Sequence, residues 1–178
     1  MLPSVDMVFG VLRAAIRGIP MGIAALLLVG GTGCSSVIGD QEVETIFRVK
    51  PRTDGSFWGW SEISIDEDPD QVDSASIAWV TLHAEDPPHS DLTFIKTLTG
   101  EAVTEEEHTP LATKTDFPPG EEEVALDLLY EGDIKGFFKP VDDGHKIRIE
   151  WNGATDPAFT AWPENGFRIR VIAMIHIE

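Results

Sequence analysis

Short segments of alternating apolar and polar residues recur along most of the chain, which is the pattern of half-buried β-strands. The two clearest segments come last. Ile147, Ile149 and Trp151 share one face of the first, and apolar residues occupy every other position of 167–177 in the second. Because a one-residue slip would turn either stripe toward solvent, the register of both strands is strongly specified. The pattern therefore predicts two long strands that each bury one face.

Earlier segments repeat this pattern and are separated by Gly, Pro, Asp and Asn. We expect strands at 43–49, 57–65, 76–84, 92–98 and 111–117. The third is apolar at nearly every position and is expected to be a central strand covered on both faces, and the last a short edge strand. These segments predict one antiparallel β-sandwich over 42–178, with about seven to nine strands and immunoglobulin-like in general architecture.

Three connecting segments carry less decisive patterns. Residues 121–130 suit either a helix, because three glutamates precede VALDLLY, or a strand, because Val124, Leu126 and Leu128 alternate. The neighbouring strands favour the strand, since so short a helix is marginal without packing. We expect 132–144 to tuck its two phenylalanines under the sandwich. The segment 152–166 is too long for a common hairpin loop, so it either crosses between sheets or is a functional loop.

The first 34 residues have a different composition from the rest of the chain. Arg13 and Arg17 precede an apolar run at 21–29, and small residues then lead to Cys34, the only cysteine. This order is typical of a secretory signal, and the run is short for a membrane span. The segment resembles the lipoprotein signal of bacteria, although Gly31 departs from the aliphatic residue usual three positions before the cysteine.

The resemblance implies a signal segment over 1–33, attachment of acyl chains, palmitate among them, to Cys34, and a short tether over 34–41. Because Ser35 follows the cysteine, it further implies a location in the cell envelope, in the outer membrane. Two or more acyl chains would hold the protein firmly at the membrane, whereas one chain holds only marginally. An ordinary cleaved signal followed by a free thiol, and an uncleaved anchor, remain the alternatives.

Charge limits the choice of partners. Arg13, Arg17 and Asp6 are the only charged residues before Cys34, so residues 34–178 keep 11 of the 13 basic and 30 of the 31 acidic residues. This excess of acidic residues disfavours binding of nucleic acid, which requires clustered Lys and Arg. The simplest reading of the excess acid is that it keeps the protein soluble. A lone cysteine also allows no internal disulfide, so stability must come from packing.

Carboxylates and histidines supply two metal-site candidates. The alternate acids of one loop could converge on calcium, which takes six to eight oxygen ligands, but the loop lacks the glycine and bidentate glutamate of an EF-hand. We therefore favour a solvated charge run at Asp66, Asp68, Asp70 and Asp73. His83 and His89 flank a proline turn, where ordinary turn polarity accounts for them better than a metal does. No cofactor is expected.

Tryptophans supply the other candidate site. Trp58 and Trp60 lie two residues apart and so share one strand face, while Trp162 lies in the long connection. These three could stack sugar rings, although most tryptophans pack protein interiors, and we expect Trp79 and Trp151 to do so. The sequence contains no glycine-rich phosphate loop and no nucleophile elbow, so an enzyme is not expected. It favours a non-catalytic envelope module that contacts another protein or a glycan, with a calcium- or carbohydrate-binding module as the alternative.

Overall fold

The computed structural model describes residues 39–65, 68–87, 90–141 and 144–178. These residues form two antiparallel sheets that pack face to face, which confirms the predicted β-sandwich. The described part of the chain contains ten strands rather than about seven to nine, together with two single-turn 3₁₀ helices and no α-helix. The strands are β1 (Gly39–Val49), β2 (Ser56–Ile65), β3 (Ala75–Asp86), β4 (Ile95–Val103), β5 (His108–Lys114), β6 (Glu123–Ala125), β7 (Asp127–Leu128), β8 (Lys139–Val141), β9 (Gly144–Thr155) and β10 (Phe167–Ile177).

Strand order divides the chain between the two sheets. The first sheet, sheet A, has the order β1-β10-β3-β6, and the second, sheet B, has the order β2-β9-β4-β5-β7, with β8 also paired to β9. The consecutive strands β1 and β2 therefore lie at the edges of different sheets. They pack against each other along one side of the sandwich.

The core follows the alternation seen in the sequence. Every second residue of β10 from Phe167 to Ile177 is at most 4% exposed, and the stripe Ile147, Ile149 and Trp151 of β9 is equally buried. Full burial of side chains of this size contributes roughly 1.5–3 kcal/mol each. Both predicted stripes are confirmed, and they face each other across the sandwich.

Aromatic contacts join the two sheets. Trp151 of β9 stacks on Phe47 of β1 with ring centroids 4.8 Å apart, and its indole Nε1 donates a hydrogen bond of 2.9 Å to the hydroxyl of Ser61. Phe94 stacks on Phe167 at 3.9 Å. A buried indole N–H needs such a partner, so Ser61 completes the environment of Trp151.

Two of the three connecting segments run from one sheet to the other. Within 121–130 the chain forms strands rather than a helix, as we favoured, but it divides them: β6 pairs with β3 in sheet A, and β7 pairs with β5 in sheet B. β9 continues to Thr155, so the long connection is 156–166 rather than the expected 152–166, and it leaves sheet B to enter β10 in sheet A. In the third connection Phe138 is buried and Phe137 packs against the core. These expectations are confirmed.

Several expectations about strands were wrong. β3 is not covered on both faces, because Trp79 points outward with 38% of its surface exposed and is not a core residue. β4 begins at Ile95 rather than at 92 and continues to Val103, because Leu92 and Phe94 are buried in the turn before it. β5 lies between β4 and β7 rather than at an edge.

The start of the domain also differs from the expectation. β1 begins at Gly39, so the last residues of the expected tether 34–41 pair with the end of β10. The predicted signal segment and Cys34 lie outside the described residues and stay predictions.

Candidate functional site

Trp58 and Trp60 lie side by side on the outer face of β2, with 39% and 49% of their surfaces exposed. The shared face predicted from their spacing is confirmed. Together with Ile46 and Arg48 of β1 they line a shallow groove of about 340 Å³ where the edges of the two sheets meet. Exposed indoles beside an apolar side chain and a cation form a surface suited to binding a flat, partly apolar ligand.

Two side chains of β9 hold the tryptophans in place. The indole Nε1 of Trp58 donates to Glu150 Oε2 at 3.2 Å, and Arg148 Nη2 donates to Glu150 Oε1 at 3.0 Å. The Arg148 guanidinium carbon in turn lies 5.2 Å from the centroid of the Trp60 ring, a cation–π contact. Glu150 thus links both indoles through one network, and we call these four residues the tryptophan platform.

Gly59 brings the edges of the two sheets together at this point. A Cβ on Gly59 would lie 3.1 Å from the backbone oxygen of Arg48 and 3.4 Å from the ring of Phe47. A side chain there would require these atoms to shift by a few tenths of an ångström. The glycine therefore keeps the indoles of β2 next to Ile46 and Arg48.

Trp162, the third predicted aromatic, has different surroundings. Its ring contacts Phe94, Phe159 and Phe167 at centroid distances of 5.2–5.6 Å, and its Nε1 donates to the Phe159 carbonyl. It is half-buried and does not line the groove. The structure therefore joins Trp58 with Trp60 and leaves Trp162 in a separate aromatic cluster.

Two aspartates in the described part of the acidic loop take part in local hydrogen bonds. Asp68 caps a 3₁₀ helix by accepting a hydrogen bond from the backbone N–H of Asp70 at 3.0 Å, and the N–H of Asp73 donates to the Glu178 carbonyl. Asp66 and His89 lie outside the described residues. Within the part of the chain that is described, no three His, Cys, Asp or Glu side chains are grouped as a metal site.

A second polar cluster lies where β1 begins and β10 ends. His176 Nδ1 hydrogen-bonds Asp40 Oδ1 at 2.7 Å, and His176 Nε2 lies 3.5 Å from Glu178 Oε1. The hydrogen bond to Asp40 raises the pKa of the His176 imidazole above its ordinary value of 6.5. The cluster is exposed, so solvent screens these interactions.

Sequence reasoning missed the side chains that surround the tryptophans. Alternation put Arg148 and Glu150 on the outer face of β9, opposite Ile147 and Ile149. It could not indicate that β9 pairs with β2 in a register that sets Glu150 beside Trp60. That pairing joins residues about 90 positions apart in the chain.

Comparisons with protein-family models, with curated proteins and with solved structures return no match. Among the described residues, no helix is long and apolar enough to cross a membrane.

Proposed function

We propose that this protein is a lipid-anchored component of the bacterial cell envelope whose β-sandwich binds another envelope component without catalysing a reaction. The observation that carries the binding role is the pair of exposed indoles, Trp58 and Trp60, held by Arg148 and Glu150. Large exposed aromatic side chains with fixed orientation are typical of binding surfaces. The anchoring role rests on the signal segment and Cys34.

The distance along the chain from Cys34 limits how far the start of β1 can lie from a lipid anchor. Gly39 is five residue steps after Cys34, and an extended chain of that length reaches at most about 18 Å. A lipid on Cys34 would therefore keep the start of β1 near the bilayer. Ile46 is seven residues further along the strand, which adds about 23 Å. The groove residues of β1 are therefore farther from the anchor along the chain than the start of the strand is.

Replacing the sulfur of Cys34 tests the anchor. In cells that express Cys34→Ser, we expect the precursor to remain uncleaved and to carry no acyl chains. Wild-type protein should yield a mature N-terminal peptide that begins at Cys34 and carries acyl chains, measured by mass spectrometry. Membrane association of the serine variant with unchanged processing would refute the anchoring role.

A glycan is the more specific candidate for the bound component. The flat apolar faces of sugar rings stack on indoles, and the platform offers two exposed indoles with Glu150 and Arg148 as polar partners. A protein partner would also use exposed tryptophans, so the two are separated by titration. Soluble peptidoglycan fragments should perturb tryptophan fluorescence, and the change should be absent from the Trp58→Ala, Trp60→Ala double variant. No perturbation with any envelope glycan would leave a protein partner as the better candidate.

A further inference from the structure

The arginine in the groove differs from the other arginines of the strands. Arg148, Arg168 and Arg170 each have a carboxylate oxygen within 2.9–3.7 Å of the guanidinium. Among the described residues, no carboxylate lies within 4.0 Å of the Arg48 side chain, although acids outnumber bases almost three to one in residues 34–178. Its one hydrogen bond to a residue that the structure describes is a long one of 3.4 Å from Nη1 to the carbonyl of Asn165. Most of its five N–H donors are therefore available to a ligand.

The surroundings of Arg48 add positive charge. Arg168 is its direct partner in the β1–β10 register, and like charges directly opposite are unfavourable. Lys50 lies two residues further along and donates to the carbonyl of Glu164 at 2.8 Å. Glu85 already pairs with Arg168 at 2.9 Å, so Arg48 and Lys50 supply the positive charge that a negatively charged ligand would neutralise at this corner. The rest of the acidic surface would repel the same ligand, so binding would be confined to the groove.

Arg48 also lines the same groove as the two indoles. A sugar ring stacked on Trp58 or Trp60 could therefore present an acidic substituent to the guanidinium. Guanidinium groups bind carboxylate and phosphate with two parallel hydrogen bonds, which gives both affinity and orientation. The combination of stacking surface and uncompensated cation suits an acidic sugar better than a neutral one.

We propose that the groove between β1 and β2 binds an acidic glycan, with its rings on Trp58 and Trp60 and its carboxylate or phosphate groups on Arg48. The inference rests on the proposed glycan-binding function and adds its charge selectivity. A single-stranded nucleic acid also combines rings with negative charge. It is disfavoured because tight binding would require many phosphate contacts, whereas Arg48 and Lys50 are the two cations here without a carboxylate partner among the described residues.

Matched pairs of glycans test this selectivity by titration calorimetry with the purified domain. One pair is hexagalacturonate and its methyl ester, and the other is soluble peptidoglycan fragments before and after amidation of their carboxyl groups. We expect the acidic member of at least one pair to bind about tenfold more tightly than its neutral counterpart, as for a charge-assisted hydrogen bond. Raising the salt concentration from about 20 mM to about 300 mM should reduce that preference.

Variants separate the charge effect from stacking. Arg48→Gln should abolish the preference for the acidic member and leave binding of the neutral member unchanged. Lys96→Gln is the control, because it removes the same charge from β4, two strands away from β2. It should change neither the preference for the acidic member nor the binding of the neutral member. The Trp58→Ala, Trp60→Ala double variant should bind neither the acidic nor the neutral member.

The possible failures are distinguishable. Equal binding of both members of each pair would overturn the inference and leave the glycan site standing, as would a preference that persists in Arg48→Gln. Absence of binding to all four glycans would overturn the glycan-binding function together with the inference. Tighter binding of a thymidine oligonucleotide than of any acidic glycan would overturn the choice of ligand class.

Discussion

The contact between Trp151 and Gly100 makes the packing of the sandwich testable with a single methyl group. Gly100 of β4 is the register partner of Trp151 of β9, and the indole lies over the glycine. A Cβ on Gly100 would lie 2.5 Å from Cζ3 and 2.9 Å from Cε3 of that ring. The ring cannot easily move away, because it stacks on Phe47 and donates its N–H to Ser61.

Gly100→Ala should therefore destabilise the fold. Overpacking by one methyl group in a well-packed core costs about 1–3 kcal/mol. For a domain of this size, the lower half of that range lowers the melting temperature by roughly 5 °C. The free energy of unfolding should be measured by urea titration with far-UV circular dichroism, using residues 39–178.

Two further variants make the result specific to the ring. Gly136→Ala is the matched control, because a Cβ there meets nothing within 4 Å, and it should leave stability nearly unchanged. Trp151→Phe should make room for the added methyl group of Gly100→Ala. The double variant should therefore lose less free energy of unfolding than the sum of the losses in the two single variants. Equal stability of Gly100→Ala and Gly136→Ala would contradict the packing described for Trp151.

Three other positions give sharp expectations. Ser61→Ala should lower the free energy of unfolding by about 1–3 kcal/mol, since it leaves the buried N–H of Trp151 without a partner; urea titration measures it, and no loss would contradict the bond. Gly166→Ala should lower the melting temperature, because the residue has φ of +73° and its Cβ would collide with the carbonyl of Val49; an unchanged melting temperature would refute this. The hydrogen bond to Asp40 raises the pKa of His176, so protonated His176 stabilises the folded state. This stabilisation of the fold is present below about pH 6.5 and is lost as pH rises through the raised pKa. Urea midpoints at about pH 5.5 and pH 8.5 should therefore differ less in His176→Gln than in the wild type, and an identical difference would show that the bond contributes nothing.

The sequence predicted correctly the strands in which every second residue is apolar. β9 and β10 are such strands, since their stripes leave one register that buries them. Prediction failed where apolar residues are buried without pairing: Leu92 and Phe94 imitate the start of a strand but lie in a turn. It also failed at Trp79, because a run of apolar residues does not reveal that one face of β3 stays uncovered.

The candidate site was predictable only in part, because some of its residues come together only through the fold. Spacing within one strand determines that Trp58 and Trp60 share a face, and this needs no knowledge of the fold. The contributions of Arg48, Arg148 and Glu150 depend on which strands become neighbours, and pairing between distant segments leaves no local trace in the sequence. Residue type alone groups Trp162 with the other two, and the fold separates it from them.

The central claim is that Trp58 and Trp60 form the binding face of this protein, and a sedimentation assay with insoluble envelope polymer tests it directly. Wild-type protein, the Trp58→Ala, Trp60→Ala double variant and Trp79→Ala should be mixed with purified sacculi and centrifuged. Trp79 is the matched control, because it is as exposed as Trp58 but lies on the outer face of sheet A. We predict that wild type and Trp79→Ala sediment with the polymer and that the double variant stays in solution. Sedimentation of the double variant at the wild-type level would contradict the claim.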